Sequence, residues 1–456
     1  MSDQAVTSKA VDPKIKQYEV TVVEYVKKLM GHFIVASHDN SFQRVLRNTV
    51  NKQLAIDDDC IATVMDENRI LKTIKEVSGK GRPIILFVER VFNNKETSFL
   101  IKQIKEAFSN VKIIILTVEA ERQRLVLLHE IGADNFISKP ISINTLIEKI
   151  AFTIKPQGKI GKLIDLGKQF LDQNNLEQAL KISRQILEIK PNSAAAYLIQ
   201  GDAYKAMGKK DKAIEAYEEA SNQAKLYLEP LKKLADFFRS EGDSENTLLY
   251  LEKLDKLSPL NVDRKVDMGG IHVALGNEEK AEELFNVALI QAKKEAMNYI
   301  EDISRKIGDI YTVKNPEKAV KYYRKALETK GGQLDKNDIK TFNLLGIALR
   351  KQGKWEEAIG EYEKALRISP EDENLLYNMA MAYAEGQDFR NAAGNIRKVL
   401  ELNPKFHAND HVLSYNLGLI FAKVNNREAA RRFLEYSLKL DPSFQSARKL
   451  LEAIFE

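Results

Sequence analysis

Residues 343–370, NLLGIALRKQGKWEEAIGEYEKALRISP, hold the pattern from which the fold of most of the chain follows. Small Gly346 is followed by Leu349, Ala358, Tyr362, Ala365 and Pro370, at offsets of 3, 12, 16, 19 and 24. The frame recurs on both sides. Upstream it runs through Gly167, Phe170, Ala179 and Pro191, then Gly201, Tyr204, Ala213, Tyr217 and Ala220. Weaker copies follow at Ala235, Phe238 and Pro259, and at Gly269, Ala281, Phe285 and Ala288. Next come Gly308, Tyr311, Ala319, Tyr323 and Ala326, and downstream of the quoted unit Ala380, Tyr383, Ala392 and Pro404, then Gly418, Phe421, Ala430 and Pro442. The first positions are spaced 34, 34, 34, 39, 38, 34 and 38 residues apart. This period describes two antiparallel helices. The small residue lets them approach, the aromatic fills the gap beside it, and proline ends the second helix. One pair cannot bury its apolar face alone, so the pairs must stack.

The unit resembles the tetratricopeptide repeat over roughly residues 160–442. The array is assigned to residues 156–442 as about eight units, with 443–456 as a C-terminal capping helix. Three spacings exceed 34, through additions near AKKEAMNYIEDIS, KGGQLDKND and KFHANDH. The middle addition, with Gly331 and Gly332, reads as a flexible loop that divides the array into two sub-blocks. The resemblance implies a superhelix whose first helices line a concave groove for an extended peptide or a partner helix. It places Asn378 and Asn416 at equivalent first-helix positions, where an amide can both donate to and accept from a peptide backbone. By the same frame Arg350, Lys351 and Lys423 fall near the groove and suit acidic groups of a ligand. The alternative is that these five are ordinary polar surface positions. The Lys and Asn pairs do not match the family's clamp for C-terminal carboxylates.

Residues 31–155 have another period. HFIVAS, CIATVM, PIILFVE, VKIIILTV and NFISKPI are short apolar runs, each followed by an amphipathic stretch such as SFQRVLRNTVNKQL. Five such strands alternating with helices describe a doubly wound five-stranded parallel sheet of flavodoxin-like type, ahead of the all-α solenoid. Ligands of such sheets bind at the carboxyl ends of the strands. Residues 1–30 form a helical extension with Ile15, Tyr18, Val22, Val26 and Leu29 on one stripe, suited to docking on the domain or to dimerisation. Around Pro156, Gly158 and Gly161 the chain reads as a short hinge.

The stretch LTVEAERQ…GADNFISKP is similar to the receiver domain of bacterial response regulators. The resemblance implies that Thr117 and Lys139 contact a phosphoryl group and that Phe136 is the switch aromatic. It places the phosphate acceptor at Glu89 and the acidic pair at Ser37 and His38, so the acceptor Asp and both acids are replaced. Magnesium wants oxygen ligands, chiefly carboxylate and water, and Ser37 and His38 supply no carboxylate. Asp39 enters as an acid only if the strand slips by one residue, which would turn its apolar faces over. The expectation is a pseudo-receiver without cofactor or metal. In it Glu89 either reaches Lys139, imitating a phosphorylated aspartate, or stands solvated at a decayed site.

The 456 residues suit two or three domains. Residues 1–155 carry 23 Lys/Arg and 19 Asp/Glu, leaving 47 and 46 for the rest of the 70 and 65. Neither part has the basic excess of a nucleic-acid binder. There is one cysteine, Cys60, no signal-peptide core in MSDQAVTSKAVDPK and no apolar run of membrane-spanning length. The expected location is the cytoplasm. Asp57, Asp58 and Asp59 lack calcium-loop spacing, and His407 and His411 lack a third metal ligand. Trp355 sits where a repeat packs an aromatic between helices. No nucleophile–base–orienter set stands out on the array, so the chain reads as a non-enzymatic signalling adaptor. Its array would hold a protein partner, while its receiver face would bind another signalling protein or gate the groove. The alternatives are a phosphorylation-controlled regulator with an atypical site, and an assembly scaffold or co-chaperone in which the receiver fold is a docking module.

Overall fold

The structure is a computed structural model that describes residues 13–118, 121–156, 158–225, 227–295, 297–329 and 334–455. The expected loop glycines Gly331 and Gly332, and residues 1–12 of the extension, lie outside the described residues.

The N-terminal part begins with α1 (Pro13–Lys27), β1 (His32–Ala36), α2 (Asn40–Asn48), β2 (Ile61–Thr63), α3 (Glu67–Ser78) and β3 (Ile84–Glu89). A short antiparallel hairpin, β4 (Val91–Phe92) and β5 (Lys95–Glu96), comes next. Then follow α4 (Ser98–Ala107), β6 (Lys112–Thr117), α5 (Arg122–Glu130), β7 (Asn135–Ser138) and α6 (Ile143–Ile154). The main sheet is parallel throughout, in the order β2-β1-β3-β6-β7. Its central strands are buried on both faces, which is why they read as unbroken apolar runs. Phe33, Val35, Phe87, Ile114 and Leu116 join one core layer with residues of α1, α2 and α6. Ile34, Leu86, Val88, Ile113 and Ile115 join the other with residues of α3 and α4 and with Leu128 of α5.

Val22 and Val26 of α1 enter the first layer, and Tyr25 Oη donates to the Pro83 carbonyl at 2.8 Å. The extension therefore docks on the sheet domain. Leu29 lies beyond the end of α1 and is 58% exposed, so the expected stripe is one residue too long. Cys60 is buried, its thiol donating to the Asp57 carbonyl.

The hairpin β4–β5 is absent from the sequence reading, which ran from β3 directly into a helix. It turns at Asn93 and Asn94, whose φ values are +52° and +61°. A two-residue turn with both positions left-handed is the arrangement that Asn tolerates best after Gly.

Helix pairs follow: α7 (Gly158–Asp172) with α8 (Leu176–Ile189), α9 (Ala194–Ala206) with α10 (Lys210–Gln223), and α11 (Glu229–Ser240) with α12 (Ser244–Leu257); the helices α13 (Val262–Ala274) and α14 (Glu278–Glu295) come next in the chain. Then come α15 (Met297–Lys314) with α16 (Pro316–Glu328), α17 (Ile339–Lys351) with α18 (Trp355–Ile368), α19 (Glu373–Glu385) with α20 (Phe389–Leu402) and α21 (His411–Lys423) with α22 (Arg427–Leu440). The last helix is α23 (Gln445–Phe455). The small–aromatic rule is visible in the packing. A Cβ on Gly201 would stand 2.3 Å from the Tyr217 ring, and one on Gly346 would stand 2.3 Å from the Tyr362 ring. Trp355 packs against Gly386 in the same way. The first addition lengthens α14 and α15 to 18 residues each.

The chain divides into two compact units. The first runs to Ile271 and takes in the chain again around Glu295; the second holds the remainder. The division thus falls within α13, not at the Gly331 loop where the sequence suggested it. Within the first unit, side chains of α4 and α5 bond to Asp263, Arg264 and Glu295, and the Glu130 carbonyl accepts from Lys232, which ties these array residues to the sheet domain.

Candidate functional site

The carboxyl ends of β1, β3 and β6 converge with the residue that follows β7. Lys139 is the hub. Its Nζ donates to Glu89 Oε1 at 2.8 Å and to Asp39 Oδ2 at 2.9 Å. Ser37, fully buried, donates from Oγ to the same Glu89 oxygen at 2.5 Å. Ser37 Oγ also accepts the Asp39 amide at 3.0 Å. Glu89 therefore reaches Lys139.

Asp39 joins this cluster without any slip of β1, which corrects the expectation that only a register shift could bring it in. It is the N-cap of α2: Oδ1 accepts the amides of Ser41 and Phe42, at 2.9 and 3.1 Å. The cap aims one carboxylate oxygen at the helix and leaves the other for Lys139. The hydrogen bond from Lys139, aided by the two amides, holds the Asp39 carboxyl below its ordinary pKa. Burial pulls the Lys139 ammonium down, but the hydrogen bonds and charges of Glu89 and Asp39 outweigh it and raise its pKa overall.

His38 lies outside the cluster. It is exposed, stacks on Phe92 at 5.2 Å and sits 2.7 Å from Asn93 Oδ1 through Nε2. The unforeseen hairpin is thus what His38 meets. Thr117 ends β6 and is 5% exposed, and its carbonyl accepts the Lys139 amide at 2.9 Å. Phe136 lies on β7 and packs partly buried on the layer under α3 and α4. The peptide bond between Lys139 and Pro140 is cis.

These residues do not fit a magnesium ion. Two of the expected oxygen ligands are a serine already bonded to Glu89 and an imidazole turned toward the hairpin. The two carboxylates present share one ammonium, whose positive charge fills the role a cation would have. No group of three or more His, Cys, Asp or Glu placed to hold a metal occurs among the described residues.

The groove candidates are held within the array. Asn378 donates from Nδ2 to Asn343 Oδ1 at 2.8 Å, and its Oδ1 accepts from Arg350 at 3.5 Å. Arg350 grips Glu385 through Nε and Nη2, at 3.1 and 2.6 Å. Asn416 donates to Tyr377 Oη at 2.9 Å. Lys351 reaches the Thr312 carbonyl at 3.4 Å, and Lys423 lies 5.8 Å from the centre of the Phe389 ring. His407 stands edge-on to Phe433 and Tyr436, and His411 edge-on to Phe444, so the two imidazoles have separate surroundings. In the first unit a cleft of about 880 Å³ opens beside α7, α9 and α11, with His129 and Glu130 of α5 on one side. Nothing in the sequence pattern announced it.

Models of known families match three stretches: residues 346–386 as TPR repeat, and residues 164–225 and 373–406 as tetratricopeptide repeat. The chain carries tetratricopeptide repeats. It is similar to BBSome complex member BBS4 of Mus musculus, 31% identical over 149 residues, which is 32% of this chain and 26% of that protein. It is also similar to anaphase-promoting complex subunit 7 of Mus musculus, 26% identical over 223 residues, 48% of this chain and 36% of that one. The chain thus spans about a quarter to a third of the length of these relatives. Among solved structures, the C-terminal part of a TPR repeat-containing protein from Cytophaga hutchinsonii is similar at 17% identity and a TM-score of 0.38, covering 63% of this chain and 98% of that one. Among the described residues, no helix is long and apolar enough to cross a membrane.

Proposed function

We propose that the chain is a cytoplasmic signalling adaptor of the two-component type that works by contact, not catalysis. The tetratricopeptide repeats support a protein–protein role. The finer reading gives the N-terminal domain the part of a pseudo-receiver: the sheet and its switch positions are kept, and phosphoryl chemistry is gone. One observation carries it. The ammonium of Lys139 is already shared by Glu89 and Asp39, so the place of an incoming phosphoryl group and its cation is taken by a built-in ion pair. A carboxylate standing on Lys139 without phosphorylation holds the domain in one state, and its outer face then serves as a fixed surface.

The test is incubation with acetyl phosphate and Mg²⁺ followed by intact-mass measurement. The expected result is an unchanged mass. A gain of one phosphoryl group that disappears in Glu89→Gln would overturn the reading in favour of a phosphorylation-controlled regulator. A scaffold reading has its own support in the names of two relatives, both members of multi-subunit complexes. It calls for several partners whose capture is indifferent to Glu89 and Lys139.

A further inference from the structure

Five polar contacts join α4 and α5 to residues more than a hundred positions away. Lys102 Nζ lies 2.6 Å from Asp263 Oδ2, and Arg124 Nη1 lies 2.7 Å from Glu295 Oε1. Ser98 Oγ donates to the other oxygen of Glu295. Arg264 Nη1 lies 2.6 Å from Glu130 Oε1, with both side chains 4% exposed. Lys232 Nζ donates to the Glu130 carbonyl at 3.1 Å. All of these residues belong to the first compact unit.

The chemistry of this face differs from that of the two core layers. Those layers are apolar and are not made to come apart. Here the bonding is largely ionic, and ion pairs between parts of one chain lose little when both partners can return to water together. The face also borders the 880 Å³ cleft, because Glu130 holds Arg264 and Lys232 while lining that cleft.

A chain of contacts runs from the Lys139 cluster to this face. Arg90 follows Glu89 directly, and Thr97 Oγ1 donates to both of their carbonyls at 2.9 Å. Arg90 Nη1 lies 2.8 Å from Glu96 Oε1 in the hairpin. The same Glu96 oxygen is 3.9 Å from Arg124 Nε, and Arg124 is the residue that holds Glu295. The hairpin that the sequence reading missed is therefore the link between the cluster and the docked face.

We propose that the α4–α5 face is a releasable, charge-latched cap on α11, α13 and the end of α14, that it closes one side of the cleft beside α7, α9 and α11, and that its hold depends on the Glu89–Lys139 pair through Arg90 and Glu96. The proposal names the regulation of the adaptor and rests on the protein-binding role of the array; it does not require the phosphoryl site to be silent.

Hydrogen–deuterium exchange on the full chain, without any partner, tests it. The variants are Lys102→Glu, the swap Lys102→Glu with Asp263→Lys, and Glu89→Gln. Lys102→Glu should speed exchange in α4, α5 and the first turn of α13 by about tenfold while β1, β3 and β6 keep their rates. The swap should restore the slow rates, and Glu89→Gln should speed the same helices by a smaller factor. Unchanged rates in Lys102→Glu, or a rise spread equally over the strands, would overturn the cap. Rates that respond to Lys102→Glu but not to Glu89→Gln would overturn the tie to the cluster. The acetyl phosphate result is independent of all of these, so a failure of the cap and a failure of the pseudo-receiver reading are told apart.

Discussion

Asp39 shows how one residue can hold two structural roles. Its carboxylate caps α2 with one oxygen and meets Lys139 with the other. From residue type alone Asp39 lies out of reach of the strand ends, because the types that replace the acidic pair carry no trace of the cap. Asp39 and Ser41–Phe42 do form a legible helix start, and placing that cap would have turned the second oxygen toward the strand ends. The pH consequence has a definite sign. A carboxyl whose folded pKa is lowered stabilises the fold above its unfolded value and loses that contribution as pH falls through the folded one. A lysine whose folded pKa is raised contributes fully below its unfolded value and loses this as pH rises through the folded one. Urea unfolding of the wild type and Asp39→Asn at a series of pH values should show a stability gap that is constant near neutrality. The gap should shrink below about pH 4. A gap that persists undiminished to pH 2 would contradict the pairing.

At the scale of elements, the strands were legible because a strand buried on both faces leaves a continuous apolar run. Helix pairs were legible where a small residue stands opposite an aromatic ring, as Gly201 does to Tyr217, Gly308 to Tyr323 and Gly346 to Tyr362. Gly346→Ala would push a methyl to 2.3 Å from the Tyr362 ring. The expected cost is about 1–3 kcal/mol, read as a lower midpoint in chemical denaturation followed by helical circular dichroism. The hairpin was not legible. Its strands are two residues each, too short to show a period, and its only mark is the Asn93–Asn94 pair at the turn. The contacts of α4 and α5 with the array were hidden for a different reason. Glu130 and Arg264 pair across 134 positions, and no local pattern records which of 65 acids meets which of 70 bases.

For the whole molecule, change of fold and change of unit come at different places. The sheet domain gives way to helix pairs between Ile154 and Gly158, but the first compact unit continues to Ile271. Removing residues 1–155 should therefore weaken the early repeats and spare the later ones. The single Trp355, in the second unit, provides a local probe. Its fluorescence unfolding transition should stay in place in the shortened chain, while hydrogen exchange in α11 and at the start of α13 accelerates. Equal loss of protection in both units would show that the division is not an energetic one.

The buried thiol of Cys60 has a consequence of its own. Burial, and secondarily the charges of Asp57, Asp58 and Asp59, push its pKa up to about 11. The thiolate is the species that reacts with peroxides, disulfides and alkylating reagents, and at neutral pH almost none of it exists here. Since this is the chain's one cysteine, the folded protein offers its surroundings no readily reactive thiol. A cysteine introduced at any exposed position would then be the sole reactive thiol, so maleimide dyes would mark the chosen site against a silent native background.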